Sequence, residues 1–92
     1  EVERLFQAIL TLQTVEECYR FFEDACTIEE IQEIAQRFDV ASQLWTGKSY
    51  QEVNQKTGAS TATICRVKKC LMYGSSGYQL VLKRMAEEEE HG

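Results

Sequence analysis

Three times in this chain a threonine or serine is followed three positions later by glutamate: Thr14 and Glu17, Thr27 and Glu30, Ser49 and Glu52. Each pair has the form of a capping box, in which the hydroxyl accepts from the third backbone N–H of a helix and the glutamate reaches back to the cap. Apolar residues at helical spacing accompany each one, and proline is absent from all 92 residues. Nothing in the chain therefore interrupts a helix except glycine, and the expected class is all-α, with five to six short helices.

"EVERLFQAILTL" places Val2, Leu5, Phe6, Ile9 and Leu12 on one side of a first helix over residues 1–13. After the Thr14 cap, Val15, Cys18, Tyr19 and Phe22 form the stripe of a second helix over 15–24. The third follows Thr27 and carries Ile31, Ile34, Ala35, Phe38, Ala41 or Ser42, and Trp45, close to a heptad seam. Gly47 is placed to end it, because glycine accepts the left-handed conformation common after a helix. A short helix follows Ser49, Gly58 ends it, and Ser60 or Thr61 caps the next, which runs to about Tyr73. "GSSG" (74–77) breaks that helix, and a last one over 76–90 presents Tyr78, Leu82 and Met85 inward. These residues form a single domain, 1–92, with dimerisation helices in 1–44 and a helical pair in 49–73.

Dimerisation follows from size. A chain this short buries only roughly 60–65% of its unfolded surface. Leu5, Phe6, Ile9, Leu10, Leu12, Phe21 and Phe22 cover more than one helical face, so a second subunit is expected to remove the excess from water.

The formal charge of −5 conceals a strong asymmetry. Residues 1–44 carry a net −7, residues 45–84 a net +6, and the tail 85–92 a net −4. Lys48, Lys56, Arg66, Lys68, Lys69, Lys83 and Arg84 make the basic block, against the single acid Glu52. Such a block suits a polyanion or a solvated face, and charge alone does not choose.

The cysteines do not suggest chemistry. Zinc sites bring cysteines in pairs two to four apart, and Cys18, Cys26, Cys65 and Cys70 contain no such pair. Cys65 and Cys70 would point about 140° apart around a helix. Reduced thiols acting as small side chains are expected, with no metal and no cofactor. With His91 the only histidine, no glycine-rich phosphate loop and no carboxylate pair in an apolar setting, the chain is not expected to be an enzyme. No apolar run approaches the roughly 18 residues of a membrane span. No signal-peptide pattern opens the sequence, so the expected location is cytoplasmic.

"KTGASTATICRV" joins these threads. A helix-turn-helix needs a short first helix, a turn that tolerates a left-handed residue, and a second helix held by apolar contacts. Val53 and Thr57 supply the first inner face, Gly58 the turn, and Ala59, Ile64, Val67 and Leu71 the second inner face. Thr61, Ala62, Cys65, Lys68 and Lys69 then point outward. Small and hydroxyl side chains let a helix enter the major groove and meet base edges. The hydroxyls of Ser60, Thr61 and Thr63, at the helix N-terminus, suit a phosphate oxygen. Lys68 and Lys69 suit the backbone further along, and Asn54 and Lys56 complete the candidate DNA-binding set. The competing reading is a helical adaptor whose apolar N-terminal helices bind another protein.

The stretches "TIEEIQEIAQRF" (27–38), "GKSYQEVNQKTGASTATICR" (47–66) and "KKCL" (68–71), about half the chain, resemble the Trp repressor family. "TGASTATICR" carries most of the likeness, with Ala62, Thr63, Ile64 and Arg66 in register. The resemblance implies an intertwined all-helical homodimer that binds a duplex operator through the helix beginning near Ser60, associates with the nucleoid, and represses transcription. It also implies an effector pocket, since the family's corepressor lies between two arginines near a threonine, positions that fall here on Thr27, Arg37 and Arg66. Val67 stands where the family has a glycine facing the indole, and Cys70 where it has a serine. These two departures predict that tryptophan binds poorly or not at all, and that the dimer binds DNA without a corepressor or answers to a smaller ligand. Salt bridging of Arg37 and Arg66 to Glu33, Asp39 or a second subunit is the alternative use of those arginines.

Overall fold

The computed structural model describes residues 1–91 and contains six helices, with no strand among the described residues. They are α1 (Val2–Ile9), α2 (Val15–Ala25), α3 (Ile28–Trp45), α4 (Tyr50–Thr57), α5 (Thr61–Tyr73) and α6 (Gly77–His91). The chain divides into two compact units, Glu1–Gln32 and Glu33–Gly92, with the boundary inside α3.

In the first unit α1 stops earlier than its apolar spacing suggests. Thr11 bonds back through its hydroxyl to the Ala8 carbonyl at 2.7 Å and through its N–H to the same oxygen at 3.1 Å. A local hydroxyl partner of this kind competes with helix continuation, so Leu12 falls outside α1. Neither α1 nor α2 has a buried residue, and Val2, Leu5, Phe6, Leu10, Val15 and Tyr19 are all exposed. Phe21 and Phe22 meet edge to face, ring centroids 5.2 Å apart.

Two of the three capping boxes form in full, and the third only in its hydroxyl half. Thr27 and Glu30 exchange both bonds, at 3.1 and 2.8 Å, and Ser49 and Glu52 do so at 3.2 and 3.1 Å. At α2 the Thr14 hydroxyl accepts from Glu17 N–H at 3.1 Å, but the Glu17 carboxylate takes the N–H of Gln13, one residue before the cap. Those bonds hold the carboxyl of Glu30 below the ordinary glutamate value of 4.5, chiefly through the Thr27 backbone N–H and then its hydroxyl. Glu52 is lowered likewise by the Ser49 backbone and side chain, with smaller help from Lys48 and Lys56.

The second unit has a real core. Val40 and Ala41 of α3, Val53 of α4, Ala59 in the turn, Ile64 and Val67 of α5 and Leu82 of α6 are buried together. Phe38, Leu44, Leu71 and Tyr78 pack on its margin, with the Phe38 and Tyr78 rings 6.5 Å apart. The inner stripe of α3 differs from the heptad expectation, because Val40 is fully buried while Ile34 and Trp45 are exposed. A stripe read as continuous over 18 residues assumes one set of neighbours, and α3 crosses from one unit into the other. Met85 is also exposed, since the core reaches along α6 only as far as Leu82.

The connections between helices have local causes. At the end of α3, Lys48 N–H donates to Gln43 C=O and Gly47 N–H to Leu44 C=O, both at 3.1 Å, with Gly47 at φ +87°. That pair of bonds is the Schellman arrangement. The α5–α6 break differs from a simple glycine turn, because the left-handed residue is Ser76, at φ 65°. Gly74 is required there for space instead: an added Cβ would collide with the Cys70 carbonyl oxygen.

Candidate nucleic-acid interface

The α4–α5 pair is held at its corner by a short chain of hydrogen bonds. Gly58 adopts φ +69°, ψ +8°, and its N–H donates to the Asn54 carbonyl at 3.0 Å, which ends α4. The Asn54 amide donates forward to the Ala59 carbonyl at 2.9 Å. The Thr57 hydroxyl donates to Val53 C=O at 2.7 Å and accepts from Ala59 N–H at 3.2 Å. From α3, Gln36 donates to the Thr57 carbonyl at 3.2 Å, tying the corner to the long helix. Beneath these bonds Val53, Ala59, Ile64 and Val67 are almost wholly removed from solvent. Hydrogen bonds satisfy the corner, and the apolar contacts fix the relation of α4 to α5.

The N-terminus of α5 is capped by Ser60, whose hydroxyl accepts from Thr63 N–H at 3.2 Å and lies 3.1 Å from the Thr63 hydroxyl. Ile64 N–H takes the Ser60 carbonyl. The amides of Thr61 and Ala62 lie in the first turn, where a helix offers no acceptor of its own, and the helix dipole is positive there. Thr61, Ala62, Cys65, Lys68 and Lys69 are exposed along α5, and Lys56 is exposed on α4. Ser60 is exposed and Thr63 half-buried. Asn54 is accessible, but one N–H of its amide is engaged in the corner, so it positions α5 and has its second N–H and its carbonyl oxygen to offer elsewhere. The same holds in part for Ser60 and Thr63, whose hydroxyls already serve the cap.

One participant has no signal in the sequence. The Tyr50 hydroxyl, in the first turn of α4, is hydrogen-bonded to the Thr61 hydroxyl at the start of α5. The two are eleven positions apart and meet only because the corner folds as it does. Tyr50 thereby sets the direction of the Thr61 side chain, which stands among the exposed residues of α5.

The candidate effector residues are dispersed in their roles. Thr27, in the first unit, is the cap of α3 and uses its hydroxyl as acceptor for Glu30 N–H. In the second unit, Arg37 is half-buried on α3, while Arg66 and Cys70 are exposed on α5. Val67, between those two, is 1% exposed and belongs to the core. Among the described residues no cluster of three or more His, Cys, Asp or Glu side chains is placed to hold a metal, and all four thiols are free. No helix is long and apolar enough to cross a membrane among the described residues.

Comparison with known proteins matches this architecture. A protein-family model described as Trp repressor protein covers residues 1–86. The uncharacterized protein YerC of Bacillus subtilis (strain 168) is 54% identical over 89 residues, spanning 97% of this chain and 86% of that protein. A TrpR-like protein from Eubacterium eligens ATCC 27750 superposes with a TM-score of 0.89 at 53% identity, over 92% of this chain and 88% of the other. A candidate Trp repressor from Staphylococcus aureus gives 0.90 at 49% identity, over 92% and 85%. With the helical corner, its apolar core and these matches in agreement, the chain belongs to the Trp repressor family.

Proposed function

We propose that this protein is a homodimeric regulator of transcription, a repressor, that reads duplex DNA with the exposed face of α5. The observation that carries the reading is the composition of that face: small and hydroxyl residues at a helix N-terminus, then two lysines, on a corner whose inner side is sealed. Thr61 and Ala62 face base edges, where a threonine methyl or an alanine suits a thymine methyl. Lys68, Lys69 and Lys56 neutralise phosphates, and the first-turn amides of α5 donate to a phosphate oxygen. The role is one of binding and regulation; no residue is assigned to catalysis.

Two copies are needed for geometric and energetic reasons. A duplex site read by a two-fold dimer presents paired half-sites about one helical turn apart. The exposed apolar side chains of α1 and α2 supply the surface that a second copy covers. The dimer binds DNA without a corepressor or answers to a ligand smaller than tryptophan, because the branched Val67 stands where the family has a glycine facing the indole.

Salt-dependent duplex binding tests the proposal. Lys68→Ala or Lys69→Ala weakens every sequence alike and lowers the slope of log K against log salt by about one per lost phosphate contact. Binding that ignores salt or both lysines, alongside capture of a protein partner through α1 and α2, would replace this reading with that of an adaptor.

A further inference from the structure

The unit that holds the helical corner has a groove of about 480 Å³ to which the reading above assigns no ligand. Leu44, Leu71 and Met72 line it together with Trp45 and Tyr50, and Lys48 and Lys68 border the same cleft. None of the candidate effector residues Thr27, Arg37, Arg66, Val67 and Cys70 lines it. Its size lies within the roughly 300–1,000 Å³ of small-molecule sites, and its apolar lining with a few converging polar groups has their composition. Trp45 and Tyr50 are each 42% exposed and Met72 60%, so a single copy leaves a large apolar surface uncovered beside two lysines.

We propose that this groove binds a small carboxylate carried on an apolar body, and that occupancy lowers affinity for DNA. The apolar part covers Trp45, Leu71 and Met72, and the carboxylate lies between Lys48 and Lys68. Charge complementarity selects this ligand, since a neutral apolar molecule leaves both lysines unused and a cation is repelled. Coupling to DNA rests on the reading of α5 as the DNA-binding helix. Lys68 and Cys65 belong both to the groove and to the exposed face of α5, and Tyr50 also holds Thr61. A ligand that engages Lys68 and shifts Tyr50 withdraws one phosphate contact and loosens one candidate base contact.

Trp45 is the only tryptophan in the chain, so its fluorescence reports the groove alone. Octanoate is the probe, titrated into the full-length protein without DNA, with octanamide as its neutral counterpart. Octanoate shifts Trp45 emission saturably to shorter wavelength. Octanamide binds at least about threefold more weakly, and Lys48→Gln/Lys68→Gln weakens octanoate by roughly tenfold, about threefold per exposed ion pair. Emission that does not respond, or that responds equally to both probes and in both proteins, overturns the site. Emission already at short wavelength in the free protein and unmoved by either probe assigns the groove to a second copy of the chain instead. With duplex present, saturating octanoate raises the dissociation constant several-fold; an unchanged constant overturns the coupling. Should the protein bind no duplex at all, the DNA reading fails while the Trp45 titration still decides the ligand site.

Discussion

Replacing Gly58 with alanine isolates the contribution of backbone conformation to the helical corner. The residue sits at φ +69°, and a Cβ built there meets nothing within 4 Å. Steric collision with neighbouring residues is therefore absent, and the cost is that of an L-residue in the left-handed region, about 1–2 kcal/mol. For a domain of this length each kcal/mol lowers Tm by roughly 4–8 °C, so Gly58→Ala melts about 4–16 °C below wild type. Gly58→Asn loses less, because asparagine enters this region at lower cost. Thermal unfolding followed by circular dichroism, at fixed protein concentration, measures both. An alanine variant as stable as wild type, or an asparagine variant as damaged as the alanine one, would refute the backbone argument. Because α4 and α5 are also held by Val53, Ile64 and Val67, both variants retain the corner once folded, and duplex affinity well below Tm stays within about twofold.

Sedimentation at low micromolar concentration yields a folded species of twice 10.6 kDa, and a folded monomer would remove the role assigned to α1 and α2. L-tryptophan titrated calorimetrically binds roughly 5- to 150-fold more weakly than to a pocket with glycine at position 67, the cost of about 1–3 kcal/mol for overpacking; tight micromolar binding by wild type refutes the steric argument. Glu30 and Glu52 titrate below the ordinary value of 4.5 in the folded protein, so the stability they contribute is present above that value and lost as pH falls through their lowered pKa values. Glu30→Gln/Glu52→Gln is accordingly less stable than wild type at pH 7, and the gap closes on acidification; a gap constant from pH 7 to about 2.5 contradicts the capping account.

How far the sequence could be read depended on the range of the interaction. Capping pairs, the glycine at 58 and the serine at 60 act over three or four positions, and each stands where its spacing suggested. Thr11 is equally local, but its backward bond to Ala8 was hidden by the apolar stripe running past it to Leu12. Burial along α3 was less legible, since periodicity identifies a side of a helix and not what covers it; Val40 is inside and Ile34 outside for that reason. The exposed face of α5 follows directly from its apolar positions. The Tyr50 bond to Thr61 and the groove beside Trp45 arise only when separate helices meet.

Selection of binding sites from a pool of random duplexes tests the central claim most directly, carried out in parallel with wild type, Thr61→Val and Ala62→Ser. The account predicts that wild type enriches one two-fold-symmetric motif and that each variant alters the preferred base at defined positions in both half-sites. The expected change is about 1–3 kcal/mol per disturbed base contact. Enrichment of no motif, or of the same motif by all three proteins, would contradict the assignment of α5 as the helix that reads DNA.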